Sequence, residues 1–152
     1  MELIEFVVKA KLNSYAGSGG IGDRLGNDGS KEFTYREGPY SYRDQYFGFN
    51  PFIGEEIIWK DDEPVWGMNF YGRVKHRDLT DAKEIYSFLR KALQQVSRDY
   101  PYRGPRTFSE GKWRYSNEPA GGVDNFSGNE KIHYNNQEVY SLNYSGGAIN
   151  RN

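Results

Sequence analysis

The chain has no cysteine in its 152 residues, which excludes disulfides, thiolate metal sites and thiol nucleophiles and fits a reducing compartment. Long apolar runs are missing too. The opening MELIEFVVKAKL carries Glu2, Glu5, Lys9 and Lys11 through its apolar part, so it is neither a signal-peptide core nor a membrane span. No charge of one sign dominates: Lys and Arg number 20 against 21 Asp and Glu, a formal charge of -1. No global basic field therefore exists to hold a phosphate backbone or an anionic membrane, which argues against nucleic acid as partner. The two histidines, His76 and His133, stand far apart without metal-ligand spacing, and Asp61, Asp62 and Glu63 are consecutive rather than alternate as in a calcium loop. Serine occurs without a G-x-S-x-G elbow. No metal or cofactor is expected, and the cytoplasm is the default location.

Rings are abundant. Hydrophobic residues make up 36% but aromatics reach 16%, with 13 Tyr, 9 Phe and 3 Trp, and tyrosine favours half-buried sheet surfaces where its hydroxyl finds a partner. Apolar spacing predicts a helix over 2–14 and a second over 81–97, the latter carrying Ile85, Phe88, Leu89, Ala92, Leu93 and Val96 on one stripe behind Thr80 as N-cap. Between them FTYRE, YSYRDQYFG, FIGEEIIWK and VWGMNFYGRV alternate and are separated by turn residues, the pattern of an antiparallel meander. After YPYRGP come RTFSE, KWRYS, Val123 to Phe126, Glu130 to Tyr134 and Glu138 to Tyr144, with Asn135 to Gln137 as a hairpin tip. No fixed-period repeat or linker is visible. The expectation is one α+β domain over 1–152: a curved antiparallel sheet of about 7–9 strands packed with two helices, with a flexible glycine-rich loop at 16–30 and a frayed tail at 146–152.

Within that loop, Gly17 to Gly22 fits G-x-G-x-x-G letter for letter. A dinucleotide fingerprint needs a strand before it and a helix after it, so that pyrophosphate meets a helix N-terminus. Here a helix precedes and more glycines follow, and the flexible-loop reading prevails.

The stretch FIGEEIIWKDDEPVWGMNFYG raises a sharper question, because Glu55 and Glu56 are adjacent on a strand and must point to opposite faces. If Asp61 to Pro64 closes a four-residue hairpin, Trp59 faces Trp66 and Glu55 faces Phe70. Glu55 then lies in the apolar stripe, where it needs a charged partner or a proton, and Arg103 is the candidate for a buried structural pair. Glu56 shares the other face with Asn69, Tyr71 and Arg73, a polar group set among rings that suits a small-ligand cleft and equally an ordinary solvated surface. In YSYRDQYF, Tyr42 and Tyr46 line up with Tyr40 and Asp44, where they could stack a ligand or simply form a cross-strand ladder. The expected ligand-binding set is thus Glu56, Asn69, Tyr71, Arg73, Tyr42 and Tyr46.

The succession LIEFVVKAK, GSKEFTYREG, YSYRDQYFG, FIGEEIIW, PVWGMNFYGRV, YPYRGP, FSEGKWRY and VYSLNYSGG, with GEE, MNFYGRV and RGP the most specific parts, resembles a prokaryotic family of domains of unknown function, family 5680, over about Leu3 to Ile149. Some members of that family carry an Xre-type helix-turn-helix ahead of this domain. The resemblance implies a module that serves elsewhere as the sensing or partner-binding half of a regulator, and it implies no activity. Three readings stay open: a sensor-like module binding a small molecule or a protein through an aromatic and polar sheet face; an enzyme using Glu55 or Glu56 as acid or base; and an interaction module pairing edge strands into a homodimer.

Overall fold

The computed structural model describes residues 1–17, 24–76 and 78–150. Its elements run α1 (Leu3–Leu12), β1 (Arg24–Leu25), β2 (Lys31–Glu37), β3 (Tyr40–Gly48), β4 (Phe52–Lys60), β5 (Glu63–Val74), α2 (Ala82–Leu93), β6 (Thr107–Glu110), β7 (Trp113–Gly122), β8 (Asn125–Tyr134) and β9 (Gln137–Ala148). The strands form one open antiparallel sheet in the order β1-β2-β3-β4-β5-β9-β8-β7-β6. The α+β architecture with two helices on an antiparallel sheet is therefore as the sequence predicts. No helix among the described residues is long and apolar enough to cross a membrane.

The long strands bury alternate residues over much of their length, because successive side chains leave opposite faces of the pleat. The inner face carries Tyr42, Ile58, Trp66, Met68, Phe70, Tyr115, Ile132, Tyr140, Leu142 and Tyr144, and both helices pack there in one continuous core. From α1 come Phe6, Val7, Ala10 and Lys11, while Leu12 is exposed. Helix α2 buries Ile85, Tyr86, Phe88, Leu89, Ala92 and Leu93; its N-cap is Asp81, whose carboxylate accepts from the Lys83 N–H, while Thr80 bonds Glu84 instead. It stops at Leu93 rather than 97, the chain tightening there through Val96 N–H to the Leu93 carbonyl.

The meanders repeat one another, contrary to the reading that no repeat exists. In both, a two-residue turn has both residues at positive φ, Asp61 and Asp62 in the first and Asn135 and Asn136 in the second. In both, the register shifts at the same place, after Ile58 and after Ile132. Phe6 stacks on Tyr40 at 5.0 Å and lies 5.8 Å from Tyr35, and in the same way Phe88 stacks on Trp113 at 5.3 Å and lies 5.6 Å from Phe108. The Lys9–Glu37 ion pair at 3.2 Å has its counterpart in Lys91–Glu110 at 2.9 Å. The halves meet where β5 pairs with β9: Trp66 lies opposite Ala148 and Val74 opposite Tyr140, with Phe70 and Tyr144 facing each other at the centre. The molecule is built as two α-plus-four-strand units about an approximate two-fold axis through that central pair, with β1 as an extra edge.

Three boundaries differ from expectation. Val123 to Phe126 and Glu130 to Tyr134 belong largely to one strand, β8. The tail is paired as far as Ala148, with Gly146 so close to Met68 that a Cβ would stand 2.7 Å from its Cα. Part of the glycine-rich segment forms the short strand β1, while Gly17 to Gly22, the fingerprint match, lies almost wholly outside the described residues.

Candidate functional site

The expected faces of Glu55 and Glu56 are reversed. The hairpin turns in two residues, not four, so Lys60 pairs with Glu63 and Trp59 with Pro64; after the bulge Ile58 meets Trp66, Glu56 meets Met68 and Glu55 meets Asn69. A slip of one residue moves every side chain to the other face. Glu56 is fully buried, 2% exposed, and Glu55 stands in solvent with Arg43 3.8 Å away. Arg103 is buried as predicted, but its partner is Glu130: Nε donates to Oε2 at 3.1 Å and a terminal nitrogen to Oε1 at 2.7 Å. The expected Glu55–Arg103 pair does not form.

The register also divides the predicted ligand set. Asn69, Tyr71 and Arg73 lie on the open face, where the Ser145 hydroxyl donates to Asn69 and Tyr71 is half exposed. Glu56, Tyr42 and Tyr46 point the other way, beneath the helices. No single surface holds all six.

Beneath the helices the two halves each bury a carboxylate. In the second half Glu130 accepts from Arg103, from the Tyr115 hydroxyl at 2.7 Å and from the Tyr140 hydroxyl at 2.8 Å. Burial and the adjacent Glu130 charge hold both phenols well above their ordinary range. Burial alone would weaken the Arg103 charge, but Glu130 outweighs it and the guanidinium is held more firmly charged than usual. Next to this cluster Asn117 is satisfied at both ends, its amide nitrogen donating to the Gly104 carbonyl at 3.0 Å and its oxygen accepting from the Tyr144 hydroxyl at 2.6 Å. Every polar group there has a partner, as a buried network requires.

The first half repeats the frame with different contents. Glu56 accepts from Lys11 at 2.9 Å and from the Tyr42 hydroxyl at 2.5 Å, as Glu130 does from Arg103 and Tyr115. Asp44 stands where the second half has Asn117. It is 6% exposed, and its Oδ1 has no hydrogen-bond partner among the described residues. The structural reason lies across the central pair: Phe70 occupies the place of Tyr144 and has no hydroxyl to give. Burial foremost, with the neighbouring Glu56 charge adding and Lys11 and Arg103 opposing, raises the Asp44 carboxyl from 3.8 to about 8.

Asp44 borders a cavity of about 120 Å³ between the sheet and α2. Phe52 and Phe70 form its floor, ring centroids 6.0 Å apart, and Tyr86 meets Phe52 edge-on at 5.8 Å. The Tyr86 hydroxyl donates to the Phe49 carbonyl at 2.5 Å. At one end Tyr15 and Tyr46 meet edge-on at 6.5 Å; the Arg90 guanidinium lies 5.9 Å from the first ring and the Lys31 ammonium 5.9 Å from the second. Burial foremost, with Tyr15 and Asp44 nearby, pushes the Tyr46 phenol up to about 12. The site thus offers an aromatic slot, a buried carboxyl with an unused oxygen and two cations at its rim. Among the described residues no group of three or more His, Asp or Glu is placed to hold a metal ion.

Of the residues lining this cavity the sequence pointed to Tyr46 as a ligand contact and to Arg103 as a structural partner, with Asp44 merely a neighbour in the tyrosine row. The missed signal was the internal repeat: FIGEEIIWKDDEPVWGMNFYG from Phe52 and FSGNEKIHYNNQEVYSLNYSG from Phe126 share Phe, Gly, Glu, Ile, Val, Asn and Gly at matching places. Aligned so, Glu56 falls with the buried Glu130, and the Phe70–Tyr144 difference stands out. A family model described as "Domain of unknown function (DUF5680)" matches residues 44–149, and the chain belongs to that family. No curated protein and no solved structure matches it.

Proposed function

We propose that this member of the family is a small-ligand-binding module whose binding site is the cavity beside Asp44, beneath the helices, rather than the open sheet face. One observation carries the reading: the same frame is closed and fully hydrogen-bonded around Asn117 but left hollow around Asp44, whose Oδ1 has no partner among the described residues. A buried polar atom without a partner costs about 1–3 kcal/mol, and the second half shows that the fold has a cheaper solution. A ligand atom bonded to Oδ1 is a reason to keep the costly one. Sensing is consistent with the location, because the slot is walled by α2 and bordered at one end by Tyr15, which follows α1.

The test is a heteronuclear NMR titration of the whole chain with a set of single-ring compounds. Amide shifts clustered at Asp44, Tyr46, Tyr86 and Leu89 support the cavity. Shifts confined to Asn69, Tyr71 and Asn143 would move the site to the open face, and no response to any compound would remove the reading. A second observation bears on chemistry: a carboxyl raised to about 8 holds its proton at neutral pH and can deliver it. Turnover of a bound compound that disappears in Asp44→Asn, while binding persists, would make the module an enzyme.

A further inference from the structure

We infer that the ligand is a single-ring anion, its ring held between Phe52, Phe70 and Tyr86 and its carboxylate or similar group held by Arg90 and Lys31. The inference rests on the cavity being a ligand site and names what that site takes.

Size sets the body of the ligand. A cavity of about 120 Å³ is slightly smaller than the ~150 Å³ apolar cavity known to admit benzene, so one six-membered ring fills it with its substituents directed toward the rim. The walls suit a ring. Phe52, Phe70 and Tyr86 already meet one another at tilted or edge-on angles, the geometry in which a further ring gains about 0.5–1.5 kcal/mol beyond area burial.

Charge sets the head group. The cations around the inner polar clusters are nearly all matched: Lys11 with Glu56, and Arg103 with Glu130 through two parallel bonds. Arg90 and Lys31 are different. Neither has a carboxylate within ion-pair distance among the described residues, and both lie against the Tyr15–Tyr46 pair that closes one end of the slot. Two cations on one rim without a carboxylate partner among the described residues, one of them a guanidinium that also bonds the Tyr15 side chain, suit a carboxylate. Asp44 does not oppose this. With its proton in place it adds no negative charge and offers an O–H to a ring substituent, such as a hydroxyl or carbonyl. A cationic ligand meets the opposite conditions, with two like charges at the entrance and no ionised acceptor inside.

Isothermal titration calorimetry of the whole chain with benzoate, benzyl alcohol and benzylammonium separates the terms, since the three share one ring and differ in charge. The expected order is benzoate tightest by about tenfold or more, benzyl alcohol weaker and benzylammonium weakest. Arg90→Gln and Lys31→Gln should each weaken benzoate about fivefold or more and weaken benzyl alcohol by a clearly smaller factor. Both positions are only partly buried, so the variants are expected to fold, as circular dichroism will check. If benzyl alcohol or benzylammonium binds as tightly as benzoate, or if neither substitution weakens benzoate, the anionic head group is wrong while the cavity stands. If none of the three binds, and none shifts the Asp44 and Tyr86 amides, the ligand class and the cavity reading fall together.

Discussion

Replacing Asp44 by asparagine should remove a large part of the pH dependence of the chain's stability. The carboxyl lies in a low-dielectric pocket faced by Tyr42 and Glu56 from the sheet, Lys11 from α1 and Arg103 from the segment before β6. Its folded-state value is raised, so the native chain holds a proton that the unfolded chain has already released. The stabilising effect of that proton is complete below the ordinary value, 3.8, and is lost progressively as pH rises to about 8. At about 1.36 kcal/mol per pH unit, this one group removes on the order of 5 kcal/mol across the window, a large part of the 5–15 kcal/mol typical of a folded protein. The Asp44→Asn variant cannot lose that proton. Urea denaturation at pH 5, 6, 7 and 8.5 should therefore show wild type weakening steadily and the variant nearly flat, with the curves crossing so that the variant is the more stable chain at pH 8.5. Parallel profiles would refute the reasoning, because they would mean that Asp44 is ionised and solvated in the folded state.

Phe70→Tyr should supply the hydroxyl that Tyr144 gives to Asn117, raising stability by about 1 kcal/mol while abolishing binding of single-ring compounds in the same titrations. Arg103→Leu leaves Glu130 buried with only two phenols and should cost about 3–5 kcal/mol in denaturation; Glu55→Gln, on the exposed face, should cost less than about 0.5 kcal/mol. Gly54→Ala places a Cβ 2.7 Å from the Phe70 ring and 2.5 Å from the Gln45 carbonyl, so a loss of about 1–3 kcal/mol is expected, together with weakened ligand binding as the cavity floor shifts. Tyr71→Ala and Arg73→Ala should leave binding of ring compounds within about twofold of wild type, and a larger effect of either would return the open face to consideration.

The fold class was legible in the sequence because aromatic alternation and turn residues specify strands locally, and because the apolar stripe of α2 is unambiguous. The site was not legible, for two local reasons. Asp61 and Asp62 both take positive φ in a two-residue turn, a conformation more often signalled by Asn-Gly or Asp-Gly, and the bulge after Ile58 shifts the register again. A single slip then exchanged Glu55 and Glu56, carrying the supposed buried partner of Arg103 into solvent. Arg103 was expected in a buried pair, but Glu130, its partner, lies on β8 and enters only through tertiary pairing of the second hairpin. The hollow beside Asp44 could be read only once the halves were compared, since its defining feature is a missing hydroxyl at Phe70.

The central claim, that Asp44 is a proton-holding group in contact with a bound anion, is tested most directly by following its side-chain carbonyl in a ¹³C NMR pH titration with and without saturating benzoate. The free chain should show a midpoint near 8, and benzoate should move it upward, because a second negative charge at the slot further disfavours the carboxylate. A midpoint near 4, or one near 8 that benzoate does not move, would contradict it.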